Sequence, residues 1–98
     1  MEKIRAVRGF KDLLPADHDY FTLVKKVARH RSRQAGFLRI STPMLENVEV
    51  FSRGIGADSD IVSKEMFVFE SRSGKKLVLK PEGTAGVVRA FIEHGMQN

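Results

Sequence analysis

The side chains in this sequence best suited to binding chemistry are a carboxylate and a hydroxyl, Glu82 and Thr84, which follow an apolar run and Pro81. The run at 77–79 predicts a strand, and the residues from Thr84 onward predict a helix. Short side chains at a strand-to-helix junction are held from both sides, so they lose little entropy when they contact a small ligand. Carboxylate and hydroxyl oxygens are good acceptors for an ammonium group. Glu82 and Thr84 are therefore candidate ligands for a small cationic amine.

The same two residues also have a purely structural interpretation. Thr84 could be the N-cap of the predicted helix, and Glu82 could interact favourably with the positive end of its dipole. Because Thr and Glu are common at helix starts, local chemistry alone favours this second interpretation.

Composition predicts one globular, soluble domain or a piece of one, because the 98 residues are 42% hydrophobic and 30% charged. The absence of cysteine excludes disulfides and thiolate metal sites. The first residues are charged, which argues against a signal peptide. No apolar run approaches the roughly 20 residues that span a bilayer. We expect a cytoplasmic protein without membrane contact.

A net charge of +5 and a pI near 9.9 permit binding to nucleic acid without showing it. Cations that cluster at the end of a helix also complement its dipole, so a solvated helix face is the favoured interpretation. The cluster contains no aromatic residue on which a base could stack. It consists of six basic residues in a nine-residue run: Lys25, Lys26, Arg29, His30, Arg31 and Arg33.

The elements that must position Glu82 and Thr84 alternate between strands and helices. In the first half of the chain we predict an extended segment at Ile4–Gly9, a helix at Ala16–Ala35 closed by Gly36, and a strand at Leu38–Thr42 that ends at Pro43. The helix prediction rests on apolar residues at three- and four-residue spacings. These are Tyr20, Phe21, Leu23, Val24, Val27 and Ala28.

In the second half the pattern first loosens. Val48–Ser52 fits a short strand or a helical turn, and Arg53–Asp58 fits a loop, with Asp58 and Asp60 as turn residues or a helix N-cap. A hairpin is predicted from arms at 66–70 and 76–80 joined by a turn at 71–74, and a helix at Thr84–His94 follows.

No catalytic motif is present in these residues. The three histidines are scattered and form no zinc-binding pattern, so no metal site is predicted. Gly54 and Gly56 lack the third glycine of a dinucleotide fingerprint. The residues alone predict a mixed domain of helices and strands with one candidate ligand corner.

Four segments, in order, resemble histidyl-tRNA synthetases. They are residues 7–15 (VRGFKDLLP), 64–69 (KEMFVF), 79–90 (LKPEGTAGVVRA) and 93–95 (EHG), and the similarity extends over nearly the whole chain. The resemblance implies an α+β fold, namely a fragment of the class II synthetase antiparallel sheet flanked by helices. Residues 1–98 would be a partial catalytic domain that contains motif 1 and the Pro-Glu-Gly-Thr segment.

The resemblance also implies roles for particular residues. Glu82 and Thr84 match the positions that hold the α-ammonium of histidine, with capping as a second duty for Thr84. Motif 1 builds the homodimer interface of the family, which here corresponds to Tyr20, Val24, Val27 and Pro43. Lys80 stands where many bacterial relatives have Arg, and lysine lacks the planar fork that makes bidentate contacts.

The implied activity is that of a histidine–tRNA ligase, which activates histidine with ATP and Mg²⁺ and transfers it to tRNA(His). The arginines of motifs 2 and 3, which hold ATP in the family, have no counterpart up to Asn98, so no residue of this chain is predicted to be catalytic. We expect residues 1–98 to be inactive alone and to self-associate. Two alternatives remain: the regulatory subunit of ATP phosphoribosyltransferase, a synthetase paralogue, or a stand-alone dimerisation or RNA-binding module.

Overall fold

The computed structural model describes residues 2–55 and 65–98. The elements within these ranges are helix α1 (Pro15–Gln34), strand β1 (Leu45–Asn47), helix α2 (Glu49–Ile55), strand β2 (Val68–Glu70), strand β3 (Lys76–Leu79) and helix α3 (Thr84–Glu93). They fall into two compact units, Met1–Arg39 and Ile40–Asn98. None of the helices in the described ranges is long and apolar enough to cross a membrane.

Helix α1 dominates the first unit and agrees with the predicted helix to within one residue at each end. Pro15 occupies its first position, where the missing N–H costs nothing. The Asp17 carboxylate accepts a hydrogen bond of 3.0 Å from the Leu14 backbone N–H and so satisfies one free donor before the helix. Gly36 follows the helix with φ of 88°, a conformation that favours glycine. α1 buries none of its side chains.

The predicted extended segment Ile4–Gly9 forms no sheet strand. It ends in a turn in which the Phe10 N–H donates to the Val7 carbonyl at 2.9 Å, and Gly9 takes a φ of 89°.

The second unit contains a three-stranded antiparallel sheet in the order β1-β3-β2. Val78 on the central strand pairs with Glu46 on one side and Val68 on the other, and its side chain is completely buried. The predicted hairpin is confirmed, with shorter arms. Its turn closes through a bond of 3.0 Å from the Gly74 N–H to the Ser71 carbonyl.

The predicted strand at Leu38–Thr42 is wrong, because the strand that pairs with β3 lies on the other side of Pro43. The sequence 38–42 has strand-forming residues, but a strand also requires a partner with free backbone groups. That edge of β3 is taken by β1, and the Lys80 N–H extends the ladder to the Met44 carbonyl at 3.0 Å.

The ambiguous segment at Val48–Ser52 is helical, because α2 begins at Glu49 and continues through Ile55. The predicted loop from Arg53 therefore begins inside α2. The rest of that loop, together with Asp58 and Asp60, lies outside the described residues. Helix α3 ends one residue before the predicted His94, followed by Gly95 at φ of 61°. The predicted α+β fold class is confirmed.

Candidate functional site

The strand-to-helix corner between β3 and α3 carries Glu82 and Thr84, as predicted. The Glu82 carboxylate turns back onto the start of α3. Its Oε2 accepts a hydrogen bond of 2.7 Å from the Thr84 N–H, and its Oε1 accepts one of 3.0 Å from the Ala85 N–H. Glu82 thus satisfies two of the free donors at the helix start.

The predicted N-cap role of Thr84 is wrong. Gly83 is the N-cap residue, and Thr84 is the first residue of the helix. The physical reason is that the helix starts one residue earlier than a Thr84 cap requires, because the Val87 N–H, which a capping hydroxyl at Thr84 would accept from, donates to the Gly83 carbonyl at 3.2 Å. The Thr84 hydroxyl is therefore not needed for capping.

The charge at the corner is stabilised by its surroundings. Hydrogen bonds from the backbone N–H of Ala85 and then Thr84 hold the pKa of the Glu82 carboxyl below its ordinary value, and a hydrogen bond from the Thr84 side chain acts in the same direction. Both side chains are exposed to solvent. Each carboxylate oxygen has more than one lone pair, so Glu82 can accept a ligand N–H while it caps α3. The corner presents a negative charge next to a hydroxyl.

The lowered pKa of Glu82 predicts how this cap contributes to stability. Because the pKa is lower in the folded state, the contribution is complete above the unfolded pKa and is lost as pH falls through the folded pKa. We expect wild type to exceed Glu82→Gln in unfolding free energy at neutral pH and the difference to vanish in acid. Urea unfolding of both proteins across this pH range measures it, and a difference that grows in acid would contradict the prediction.

Lys80 lies immediately before the corner, and its ammonium group is hydrogen-bonded to Thr42. Its half-buried Nζ donates to the Thr42 carbonyl at 3.1 Å and to the Thr42 Oγ1 at 3.2 Å. The lysine therefore makes its two bonds to a single residue as a point charge, without the fork of an arginine. This contact ties the end of β3 to the segment before β1.

A partly buried ion pair, which sequence reasoning missed, holds α3 to the sheet. Arg89 Nε lies 2.9 Å from Glu46 Oε2 and Arg89 Nη2 lies 2.9 Å from Glu46 Oε1, a bidentate contact. The Glu46 side chain is only 4% exposed. The hydrogen bond to Glu46 is the main cause that raises the pKa of Arg89, and Glu93 on the next turn adds to it.

Gly86 lets α3 approach this pair closely. A Cβ atom at Gly86 would lie 3.1 Å from Glu46 Oε1 and 3.4 Å from Thr42 Oγ1. The first distance is too short for an unstrained contact. Any side chain at position 86 would therefore require the Glu46 carboxylate to move.

We expect Gly86→Ala to destabilise the protein by about 1 kcal/mol. Alanine gains about 1 kcal/mol in helix propensity, but crowding of a packed site costs about 1–3 kcal/mol. Gly83→Ala is the control for added size in open space, because no atom of the described residues lies within 4 Å of a Cβ there. Urea unfolding compares the two variants. A Gly86→Ala protein more stable than wild type would show that the Glu46 carboxylate yields easily.

A groove of about 980 Å³ lies between α2 and α3 beside this ion pair. Its lining includes Leu45, Glu46, Val50, Arg53, Val88 and Arg89, but neither Glu82 nor Thr84. The candidate corner and this groove are thus different surfaces. Within residues 2–55 and 65–98, no three or more His, Cys, Asp or Glu side chains are grouped so as to hold a metal ion.

The residues predicted for a dimer interface lie in both units. Tyr20, Val24 and Val27 belong to α1 and are 75%, 65% and 52% exposed. Pro43 lies in the second unit, two residues before β1.

Comparison with known proteins places this geometry in a family. A family model described as histidyl-tRNA synthetase matches residues 9–97. Histidine–tRNA ligase of Thermosynechococcus vestitus is 47% identical over 97% of this chain, and that of Geobacillus thermodenitrificans is 51% identical over 89%. These matches cover 22% and 20% of the two relatives, so the chain spans about one fifth of their length.

Solved structures agree with these sequence relatives. The apo histidyl-tRNA synthetase of S. aureus matches 98% of this chain and 22% of its own, with a TM-score of 0.83 and 31% identity. A protein from Bacillus halodurans C described as an ATP phosphoribosyltransferase regulatory subunit/histidyl-tRNA synthetase matches 92% of this chain and 23% of its own. Its TM-score is 0.71 and its identity is 24%, which shows a shared fold. The ordered segments of the sequence, the α+β fold and the family match agree, and the chain belongs to the histidyl-tRNA synthetase family.

Proposed function

We propose that this chain is the N-terminal part of the catalytic domain of a class II histidine–tRNA ligase, and that Glu82 and Thr84 bind the α-ammonium of histidine. The observation that carries the proposal is the ionised Glu82 carboxylate fixed at the start of α3 beside the Thr84 hydroxyl. Two backbone bonds hold the carboxylate in one orientation, and the side chain is exposed to solvent. An ammonium is the ligand group that complements such a corner.

In the whole protein the bound histidine would react with ATP to form histidyl-adenylate, and the histidyl group would then pass to tRNA(His). Magnesium would neutralise negative charge that develops at the phosphates. The part we assign to this chain is to bind and orient the amino acid through its amine. ATP, Mg²⁺ and tRNA(His) are proposed as substrates or partners of the whole protein, which we place in the cytoplasm.

We further propose that α1 and Pro43 form a homodimer interface. The support is the set of three exposed apolar side chains on α1, a helix that buries none of its own residues. Large apolar surfaces that remain exposed commonly mark protein interfaces.

The regulatory paralogue is the second candidate function, and its support is the shared fold with the Bacillus halodurans protein. Curated relatives at 47–51% identity carry the ligase name, which favours the ligase. A stand-alone RNA-binding module is supported only by the basic run of α1. Binding of tRNA that weakens steeply with salt and ignores histidine would favour it.

The test is calorimetry of the 98-residue chain with histidine and two analogues. Histidinol keeps the amine and lacks the carboxylate, whereas imidazolepropionic acid keeps the carboxylate and lacks the amine. We expect heat from histidine and histidinol and none from imidazolepropionic acid. Equal binding of all three ligands, or binding of imidazolepropionic acid alone, would overturn the amine assignment.

A further inference from the structure

Two polar contacts bracket the candidate corner along the chain. Before the corner, Lys80 donates two hydrogen bonds to Thr42 at 3.1 and 3.2 Å. After it, Arg89 makes its bidentate contact with Glu46. Thr42 and Glu46 are only four residues apart, the first just before β1 and the second at its centre. The short segment 42–46 therefore binds residues on both sides of the corner, Lys80 before it and Arg89 after it.

Thr42 and Glu46, the acceptors in these two contacts, also lie against the backbone of α3. The position where Gly86 would carry a Cβ is within 3.4 Å of both the Thr42 Oγ1 and the Glu46 Oε1. The backbone of α3 thus lies against both acceptors, two residues after Thr84. Glu46 is a rigid anchor, since it lies at the centre of β1, pairs with the fully buried Val78 and is itself 5% exposed.

Among the residues that the structure describes, the corner has no comparable anchor of its own. Glu82 and Thr84 are exposed, and the Glu82 carboxylate accepts its backbone hydrogen bonds from the first turn of the same helix. Such local bonds fix the carboxylate on α3 but leave the direction of α3 undetermined. That direction must come from contacts between α3 and the rest of the second unit, which include its packing against α2 and the ion pair to the sheet.

From this placement we propose that residues 42–46 act as a clamp, in which Thr42 and Glu46, through Lys80 and Arg89, are positioning residues for the corner at Glu82 and Thr84. The fork of Arg89 fixes rotation as well as distance, because two parallel bonds define a plane. The ligand assigned to the corner rests on the proposed function, but the geometry of the clamp does not. Small misplacements of a binding group cost large factors in affinity or rate.

Arg89→Lys tests the clamp, because it keeps the positive charge and removes the fork. Amide residual dipolar couplings in the 98-residue chain report the direction of α3 relative to the strands. We expect the couplings of Thr84 and Ala85 in the variant to shrink, or to stop fitting the alignment that β1 and β3 define. We expect the Kd for histidine to rise about tenfold or more. Arg53→Lys is the matched control, since Arg53 lines the same groove on α2.

The outcomes separate the clamp from simple loss of folding. If the strand couplings persist and only those of α3 change, the clamp is supported; if Thr84 and Ala85 keep their wild-type orientation, it is overturned. If Arg89→Lys also loses the couplings of the strands, the variant has unfolded and Thr42→Val is measured in its place. Thr42→Val is milder, because the Thr42 carbonyl still accepts a hydrogen bond from Lys80, and the same change or persistence of the α3 couplings then supports or overturns the clamp. A wild-type chain that binds no histidine would defeat the proposed function for this chain, while the couplings would still decide the clamp.

Discussion

Glu82→Gln is expected to weaken the binding of histidine to this chain on the order of 30-fold. The glutamine side chain has nearly the same size, but it replaces a charged acceptor with a neutral amide. The substitution removes the charge opposite the ammonium, and hydrogen bonds to charged groups contribute about 1.5–3 kcal/mol. The amide can still accept one backbone bond at the start of α3, so folding should suffer less than binding. Calorimetric titration with histidine at neutral pH measures the change.

Thr84 supplies the second part of this prediction. Thr84→Val removes the hydroxyl and keeps the branched shape, and we expect a weaker effect of about fivefold, because the hydroxyl is a neutral acceptor. Thr84→Ser is the matched control, since it keeps the hydroxyl and should bind nearly as wild type does. The structure shows that Thr84 does not cap α3, so a loss of affinity in Thr84→Val cannot be attributed to a lost N-cap.

The pattern across these variants decides the role of the corner. If Glu82→Gln and Thr84→Val bind histidine as tightly as wild type, the oxygens of Glu82 and Thr84 do not contact the amine. If Glu82→Gln loses binding only in proportion to its loss of folded protein, measured by urea unfolding in parallel, then Glu82 is a helix cap and nothing more. The amine-binding role requires an affinity loss in a folded variant.

The sequence predicts those parts of the fold that depend on neighbouring residues. The helix α1, the hairpin and α3 were all predicted, because their apolar periodicity and turn residues lie within a few positions of each other. The corner was predicted for the same reason, since the run from β3 through Pro81 to Thr84 is continuous. Even there the predicted N-cap is one residue too late, because the helix begins with the bond from the Val87 N–H to the Gly83 carbonyl.

What the sequence could not predict depends on distant partners. Glu46 and Arg89 are 43 positions apart, and neither residue carries a local signal that announces its pair. The wrong strand prediction at Leu38–Thr42 has the same origin, because strand propensity does not reveal which segment pairs with the edge of β3. Gly86 offered a hint, since a glycine inside a predicted helix often marks a close approach. Only the structure shows that the approach is to Glu46 and Thr42.

Val24→Asp is expected to abolish self-association of the chain, raising the dimer Kd by about 100-fold or more. Val24 lies between Tyr20 and Val27 on one face of α1, and all three side chains are exposed. In a dimer that buries this face, an unpaired carboxylate would lose its hydration without gaining a partner. Sedimentation equilibrium over a range of protein concentrations measures the dimer Kd of wild type and variant.

Thr22→Asp is the control that gives this experiment its force. It places the same carboxylate on the same helix, but two positions before Val24 and therefore on nearly the opposite face. Both substitutions have the same cost in helix propensity and change the net charge by the same amount. If the α1 face is the interface, Thr22→Asp associates as wild type does and Val24→Asp does not. Equal association of both variants, or a wild type that stays monomeric up to millimolar concentration, would remove α1 from the interface, because only burial of that one face separates the two substitutions.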